Sequence, residues 1–445
     1  MTDNPFYHRG PIRESTYFCD RERETEQIAS LLRVSQSVSI VGPRRMGKTS
    51  LLYFLLAPEV RAAHGLLAPQ YALACIDAQG AGQSSASEVY ALLLDALRDA
   101  LAQYPIEAQA LAEANSPDYH LLDTTLKRLN QRGTTVAFFI DEFELLAANR
   151  NLDPSFFSGL RGLATRYSVS YLLASQRPLI SLVYADDSVL SSPFFNIFMT
   201  VPLGTFDDRA ACDLLHTLLA KAQTGLPEPA LQAVLELAGP HPFFLQVAAY
   251  HAYELARCAA PWDEQITMQL AELFYQEAHP HYLYAWSNLT ELERYALANL
   301  AMAQHDPSAG EALRLLQQQS LILPTGSGYR CLSSSLQRFV RTQSVRELLQ
   351  AGPFVIDLRQ RIVTVDHETL RLTKTQFDLL TCLAQRDGQV VTTQELEESI
   401  WRDQYVEDPE RLKAAIKHLR RALGVWGGWV ANERGVGYAL RAKGA

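Results

Sequence analysis

Nine residues, GPRRMGKTS from Gly42 to Ser50, set Gly42, Gly47, Lys48 and Thr49 at the G-x-x-x-x-G-K-[ST] spacing of a phosphate-cradling loop. The chemistry this spacing supports is the binding of a nucleoside triphosphate. The loop formed by Gly42, Pro43, Arg44, Arg45, Met46, Gly47, Lys48, Thr49 and Ser50 would wrap the phosphates with backbone N–H groups and the positive end of a following helix. Lys48 would reach the β- and γ-phosphates, and the Thr49 hydroxyl would hold Mg²⁺. The elements needed to hold such a loop are present on both sides. SVSIV (Ser37 to Val41) reads as a short buried strand and SLLYFLLA (Ser50 to Ala57) as an apolar helix start, which a chance glycine-rich turn would lack.

A second segment supplies the acids. TVAFFIDEFELL (Thr135 to Leu146) is a near-continuous apolar run ending in two carboxylates, as a central parallel strand should where it meets a phosphate site. Roughly 95 residues downstream of the loop, it is the expected partner. Asp141 would join Thr49 around the metal, and Glu142 would orient and deprotonate the attacking water. Lys48, Asp141 and Glu142 are therefore the catalytic candidates. A third strand, VSYLLAS (Val169 to Ser175), precedes Gln176 and Arg177, where a γ-phosphate sensor would stand; the alternative is a loop arginine paired with a surface acid. YALACID (Tyr71 to Asp77) and IFMTVPL (Ile197 to Leu203) complete five strands with helices between them, an α/β core with a parallel sheet.

Bulk properties narrow the class. At 445 residues the chain suggests several domains, and 48% hydrophobic with 20% charged residues gives apolar mass for more than one core. The six cysteines (Cys19, Cys75, Cys212, Cys258, Cys331, Cys382) are scattered, without metal or disulfide spacing, which fits a reducing cytoplasm. No apolar run approaches a membrane span, so no membrane partner is expected. The net charge of −9 is uneven: from Phe354 onward there are 14 Lys and Arg against 13 Asp and Glu, leaving 26 against 36 before it. The last segment is electrostatically a different object.

NPF (Asn4 to Phe6), GPI (Gly10 to Ile12), YFCDRERETEQI (Tyr17 to Ile28) and SVSIVGPRRMGKTSLL together resemble the opening of bacterial STAND-type and related AAA-like P-loop ATPases. Asp20 stands where that family usually has glycine. GPHPFFLQ (Gly239 to Gln246) resembles the GxP segment of the family's helical lid, and the resemblance implies that His241 and Pro242 lie near the adenine or sugar. It spans roughly residues 4 to 250. Downstream, helical periodicity from Asp207 to about Glu277 suggests an all-α lid. The order helix, helix, turn, hairpin, helix then suggests a small winged-helix module, which the STAND-type resemblance implies packs against the ATPase and not on DNA, a reading its scarcity of basic residues supports. The expected domains are a P-loop NTPase core at 1–204 with helices on both sheet faces, a lid at 205–277, a winged-helix module at 278–345 and a final α+β module at 352–445. SVRELLQAGP (Ser344 to Pro353) is read as a connector.

The final module opens with alternating residues, FVIDLRQRIVTVDHETLRL, and continues with two amphipathic helices, the second capped by Thr in TTQEL. DPERLKAAIKHLRRALG (Asp408 to Gly424) puts Leu412, Ala415, Ile416, Leu419 and Leu423 on one face. Arg411, Lys413, Lys417, Arg420 and Arg421 lie elsewhere, able to approach phosphates. With LTKTQFDLLTCLAQRDGQVVT and ERGVGYAL, the segment resembles the OmpR/PhoB-type winged helix-turn-helix DNA-binding domain. The resemblance makes Asp408 to Leu423 a recognition helix, with Arg411, Lys413, Lys417 and His418 toward bases or phosphates and Arg434 on the wing. A solvated basic helix is the bland alternative.

The joint reading is a cytoplasmic bacterial regulator of transcription that binds double-stranded DNA, uses ATP or ADP with Mg²⁺ as cofactors, hydrolyses slowly and forms a homo-oligomer in its ATP state. Two rivals share the motifs: a DNA-bound motor or loader, and a signalling ATPase whose terminal module binds protein.

Overall fold

The computed structural model describes residues 4–6, 10–101, 104, 108–109, 117–180, 193–258, 261–303, 310–326, 328–357, 361–365, 368–386, 388–401, 409–433 and 435–441. They fall into two compact units, Met1–Gln337 and Arg338–Ala445.

In the first unit, β1 (Ser37–Val41), β2 (Tyr71–Asp77), β3 (Thr135–Asp141), β4 (Val169–Ser175) and β5 (Phe198–Pro202) form a parallel sheet in the order β2-β3-β4-β1-β5. The apolar run of β3 is explained by burial on both faces. Val136, Phe138 and Ile140 enter one core with the helices Ala86–Ala100, Tyr119–Gln131 and Pro154–Arg166; Ala137 and Phe139 enter another with Glu22–Arg33 and Lys48–Leu56. Helices thus cover both faces, as the sequence implied. The order matters for function because β4 lies between β1 and β3. The carboxyl ends of three adjacent strands therefore present Gly42, Gln176 and Glu142 along one edge.

Four helices follow, Asp208–Lys221, Glu228–Ala238, Pro242–Cys258 and Glu264–Asn288. The lid boundary expected at 277/278 falls inside the last of these, a continuous helix that carries Pro280 in its interior. Next come Glu291–Ala301, opened by a Thr290/Glu293 capping box, then Gly310–Gln318, the hairpin β6 (Ile322–Thr325) and β7 (Gly328–Cys331), and a helix from Ser334. This is the helix, helix, hairpin, helix order read from the sequence.

The second unit corrects one expectation. The segment read as a connector is the end of helix Ser334–Glu347 followed by β8 (Leu348–Ala351), which pairs antiparallel with β9 (Phe354–Asp357). Gly352 and Pro353 are the two-residue turn between them; Gly352 has φ +59° and the Trp429 ring fills the space a Cβ would need. With β10 (Ile362–Val365) and β11 (Glu368–Leu370) the sheet runs β11-β10-β9-β8. Helices Lys374–Ala384, Thr393–Ile400 and Pro409–Ala422 pack beside a second sheet, β12-β14-β13, of Val391–Thr392, Gly437–Leu440 and Val430–Glu433. The expected Thr392 cap is present, with Glu395 completing a capping box.

Candidate nucleotide site and the C-terminal basic helix

The loop between β1 and its helix is shaped by Gly47, whose φ of +90° caps the Lys48–Leu56 helix, and by Arg45 at φ +66°. The amide of Gly42 donates to Ser175 O (3.2 Å), tying the loop to the end of β4. Lys48 is 9% exposed, and its ammonium donates to Gly42 O (2.7 Å) and Pro43 O (2.9 Å). Burial lowers its pKa, opposed by the charges of Glu144, Glu142 and Asp141. The Thr49 hydroxyl donates to Asp141 Oδ2 (2.6 Å), while Asp141 Oδ1 accepts the Glu142 amide (3.0 Å). A hydroxyl and a carboxylate converging this way are hard oxygen donors of the kind Mg²⁺ takes. The Ser50 Oγ accepts the Ile12 amide (2.9 Å), which ties down the Gly10–Ile12 stretch.

Glu142 has φ +51°, and burial, then Glu144 and Asp141, raise its pKa. A raised carboxyl pKa suits a proton acceptor. Glu144 was not singled out from sequence: both of its carboxylate oxygens are buried with no hydrogen-bond partner. The only sequence signal for it was the alternation of acids in DEFE.

Gln176 is half-buried and Arg177 exposed, immediately after β4; the Arg177 carbonyl accepts the Ser175 hydroxyl (2.9 Å). Asp20 and Arg21 are both left-handed, at φ +61° and +78°. Asp20 thus adopts a left-handed backbone, which glycine takes freely and aspartate tolerates better than most residues. Arg21 is buried, donates to Gly204 O (2.5 Å) and lies over the Phe206 ring at 4.7 Å. His241 is buried against Phe244 with ring centroids 4.3 Å apart, and its Nδ1 has no partner. Burial, then His281 and Arg21, push its pKa down to about 3. Pro242 opens the Pro242–Cys258 helix, a position where its missing N–H is harmless.

In the second unit the basic helix buries Leu412, Ile416, Leu419 and Leu423 as its pattern required. Lys413, Lys417, His418 and Arg421 are exposed; Lys413 pairs with Glu410 at 2.7 Å. Arg411 lies over the Trp401 ring at 4.4 Å. Arg420 departs from the expected outward position. Its guanidinium donates to Val430 O (3.0 and 2.7 Å) and clamps the helix to β13. Asp408 and Arg434 lie outside the described residues.

The family described as Novel STAND NTPase 2 matches residues 25–306, more than half of the chain and all of the loop and acidic strand. The chain belongs to this STAND NTPase family. The fold of the Walker-type ATPase PABY2304 of Pyrococcus abyssi agrees, with TM-score 0.51 at 16% identity over 76% of this chain and 99% of that one. Beyond the STAND NTPase region, the family described as transcriptional regulatory protein, C terminal, matches residues 367–440. Sensory transduction protein RegX3 of Mycobacterium tuberculosis is 34% identical over 73 residues, 16% of this chain and 32% of that protein. Transcriptional regulatory protein PrrA of the same organism is 34% identical over 100 residues, 22% and 43% respectively. The chain spans less than half the length of these two relatives. An NTPase domain and an OmpR/PhoB-type domain thus share one polypeptide, and among the described residues no helix is long and apolar enough to cross a membrane.

Proposed function

We propose that this STAND NTPase is a DNA-binding regulator of transcription whose state is set by ATP and ADP. The observation that carries the reading is one chain holding both a phosphate loop closed onto an acidic strand through Thr49 and Asp141 and a helix with Lys417, His418 and Arg421 exposed. Lys48 would exchange its two loop carbonyls for the β- and γ-phosphates. Thr49 and Asp141 would hold Mg²⁺, which would neutralise phosphate charge, and Glu142 would take the proton of the attacking water. Gln176 and Arg177 follow the strand between loop and acids and would sense the γ-phosphate. His241 and Pro242 would form the lid side of the base and sugar pocket. The working division of the chain is core to 204, lid to 277, internal winged module to 345 and DNA-binding module from 352, with the lid boundary softened by the continuous Glu264–Asn288 helix.

In the ADP form the DNA-binding helix is withheld; ATP shifts the population to an oligomeric, DNA-competent form, and slow hydrolysis resets it. Lys413, Lys417, His418, Arg421 and Arg411 supply DNA contacts, with Arg434 on the wing. Glu142→Gln is the test. It should remain ATP-loaded and bind operator DNA more tightly than wild type when ATP is present; equal binding removes hydrolysis as the reset. Turnover that rises steeply with any duplex would instead favour a DNA-bound motor.

A further inference from the structure

A cavity of about 690 Å³, the size of a small-molecule site, lies where helices Asp208–Lys221 and Glu228–Ala238 meet helix Glu291–Ala301 and the β6–β7 hairpin. The joint around it is closely packed. Gly239 has φ +59°, and a Cβ there would meet Leu332 O at 2.1 Å. The Ser334 hydroxyl donates to Glu236 O (3.0 Å), and the Gln337 side-chain amide donates to Ala301 O (2.9 Å). The cavity is thus bordered by backbone contact and hydrogen bonds, and it shares no residue with the nucleotide site described above.

Its lining divides by polarity. Ala211, Leu235 and Pro240 supply apolar surface that is buried or half-buried, whereas the charged members, Asp208, Glu236 and Arg330, are all exposed. Arg330 Nη2 stands 3.9 Å from Asp208 Oδ1, too far for a hydrogen bond. Among the described residues the side chains of Arg330, Asp208 and Glu236 make no hydrogen bond, so each keeps its capacity for a ligand.

Two carboxylates against one guanidinium leave the rim at a net −1. A ligand that balances it carries one carboxylate and two cations, with an apolar stem for the floor. A basic α-amino acid has this composition. Its carboxylate and α-ammonium share one carbon, which suits the neighbouring Arg330 and Asp208; its stem covers the apolar surface, and its terminal cation is left for Glu236.

We propose that this cavity is an effector site for a basic amino acid, with Arg330 binding the carboxylate, Asp208 the α-ammonium and Glu236 the side-chain cation. A ligand so held joins the two helices to the hairpin and stabilises their packing by mass action. The site goes beyond the nucleotide reading and does not depend on it.

The experiment is isothermal titration calorimetry of the full chain, without nucleotide, with L-lysine and three analogues that each lack one charge. Cadaverine lacks the carboxylate, 6-aminohexanoate the α-ammonium and L-norleucine the side-chain cation. Lysine should bind saturably, and each analogue more weakly. Arg330→Met, Asp208→Asn and Glu236→Gln, all at exposed positions, should each weaken lysine by about two- to five-fold, the size of an exposed charge pair. Each variant should leave unchanged the analogue that lacks the matching charge: cadaverine for Arg330→Met, 6-aminohexanoate for Asp208→Asn and norleucine for Glu236→Gln. Absence of saturable lysine binding, cadaverine binding as tightly as lysine, or variants that weaken lysine and the matching analogue alike would overturn the proposal. A failed nucleotide switch would leave all of these titrations as they are.

Discussion

The phosphate loop and the C-terminal basic helix both carry cations suited to phosphate, yet they hold them in opposite ways. Lys48 is 9% exposed and fixed by two carbonyls, among three carboxylates whose charges it feels. Lys417, His418 and Arg421 stand exposed on a helix whose other face is core. A buried site acts through a few atoms in fixed places, so losing one is costly; an exposed row acts through summed charge, so losing one is cheap and salt-dependent.

The largest effect should follow a change at the acidic strand. Glu142→Gln should lower steady-state ATP turnover by about 10²–10⁴-fold with ATP affinity kept, as removal of a general base does. A loss under fivefold would break the contrast, since the buried site would then tolerate deletion as an exposed surface does. Arg420→Ala sharpens it from the other side. Although Arg420 sits among the basic residues of the helix, its hydrogen bonds to Val430 O make it structural. Its loss should destabilise the second unit by about 1.5–3 kcal/mol in urea unfolding.

His241 adds a pH test within the first unit. Its folded pKa of about 3 lies below the ordinary value of 6.5, so between these values the unfolded chain binds a proton that the folded chain does not. Stability therefore falls as pH drops from 6.5 toward 3. Melting curves at pH 7 and 5 should show a smaller acid loss in His241→Leu than in wild type; an identical loss would mean that the imidazole is solvated.

The smallest effects belong to the exposed cations. Arg421→Ala and Lys417→Ala should each leave stability within about 0.5 kcal/mol. Each should reduce the slope of log affinity for DNA against log salt by roughly one. If either unfolds the unit, it is a clamp like Arg420.

What the sequence made readable follows the same division. The loop, the acidic strand and the basic helix are written in short spacings, and each element formed where its pattern fell. Strand β8 escaped because LLQA has no clean alternation and is a strand only through its partner, β9. Arg420 escaped because only the fold brings Val430 O within its reach. Glu144 escaped because its orphaned oxygens reflect packing around the carboxylate, which a two-residue spacing does not encode. The cavity escaped because its charged residues Asp208, Glu236 and Arg330 come from three separate elements, and nothing local in any of them announces the joint.

The central measurement is affinity by fluorescence anisotropy, at fixed salt, for the duplex upstream of the protein's own gene and for a scrambled duplex, each with ADP and with a non-hydrolysable ATP analogue. Specific binding that strengthens with the ATP analogue is the expected result. Equal binding of both duplexes in either nucleotide would contradict a nucleotide-read switch on transcription.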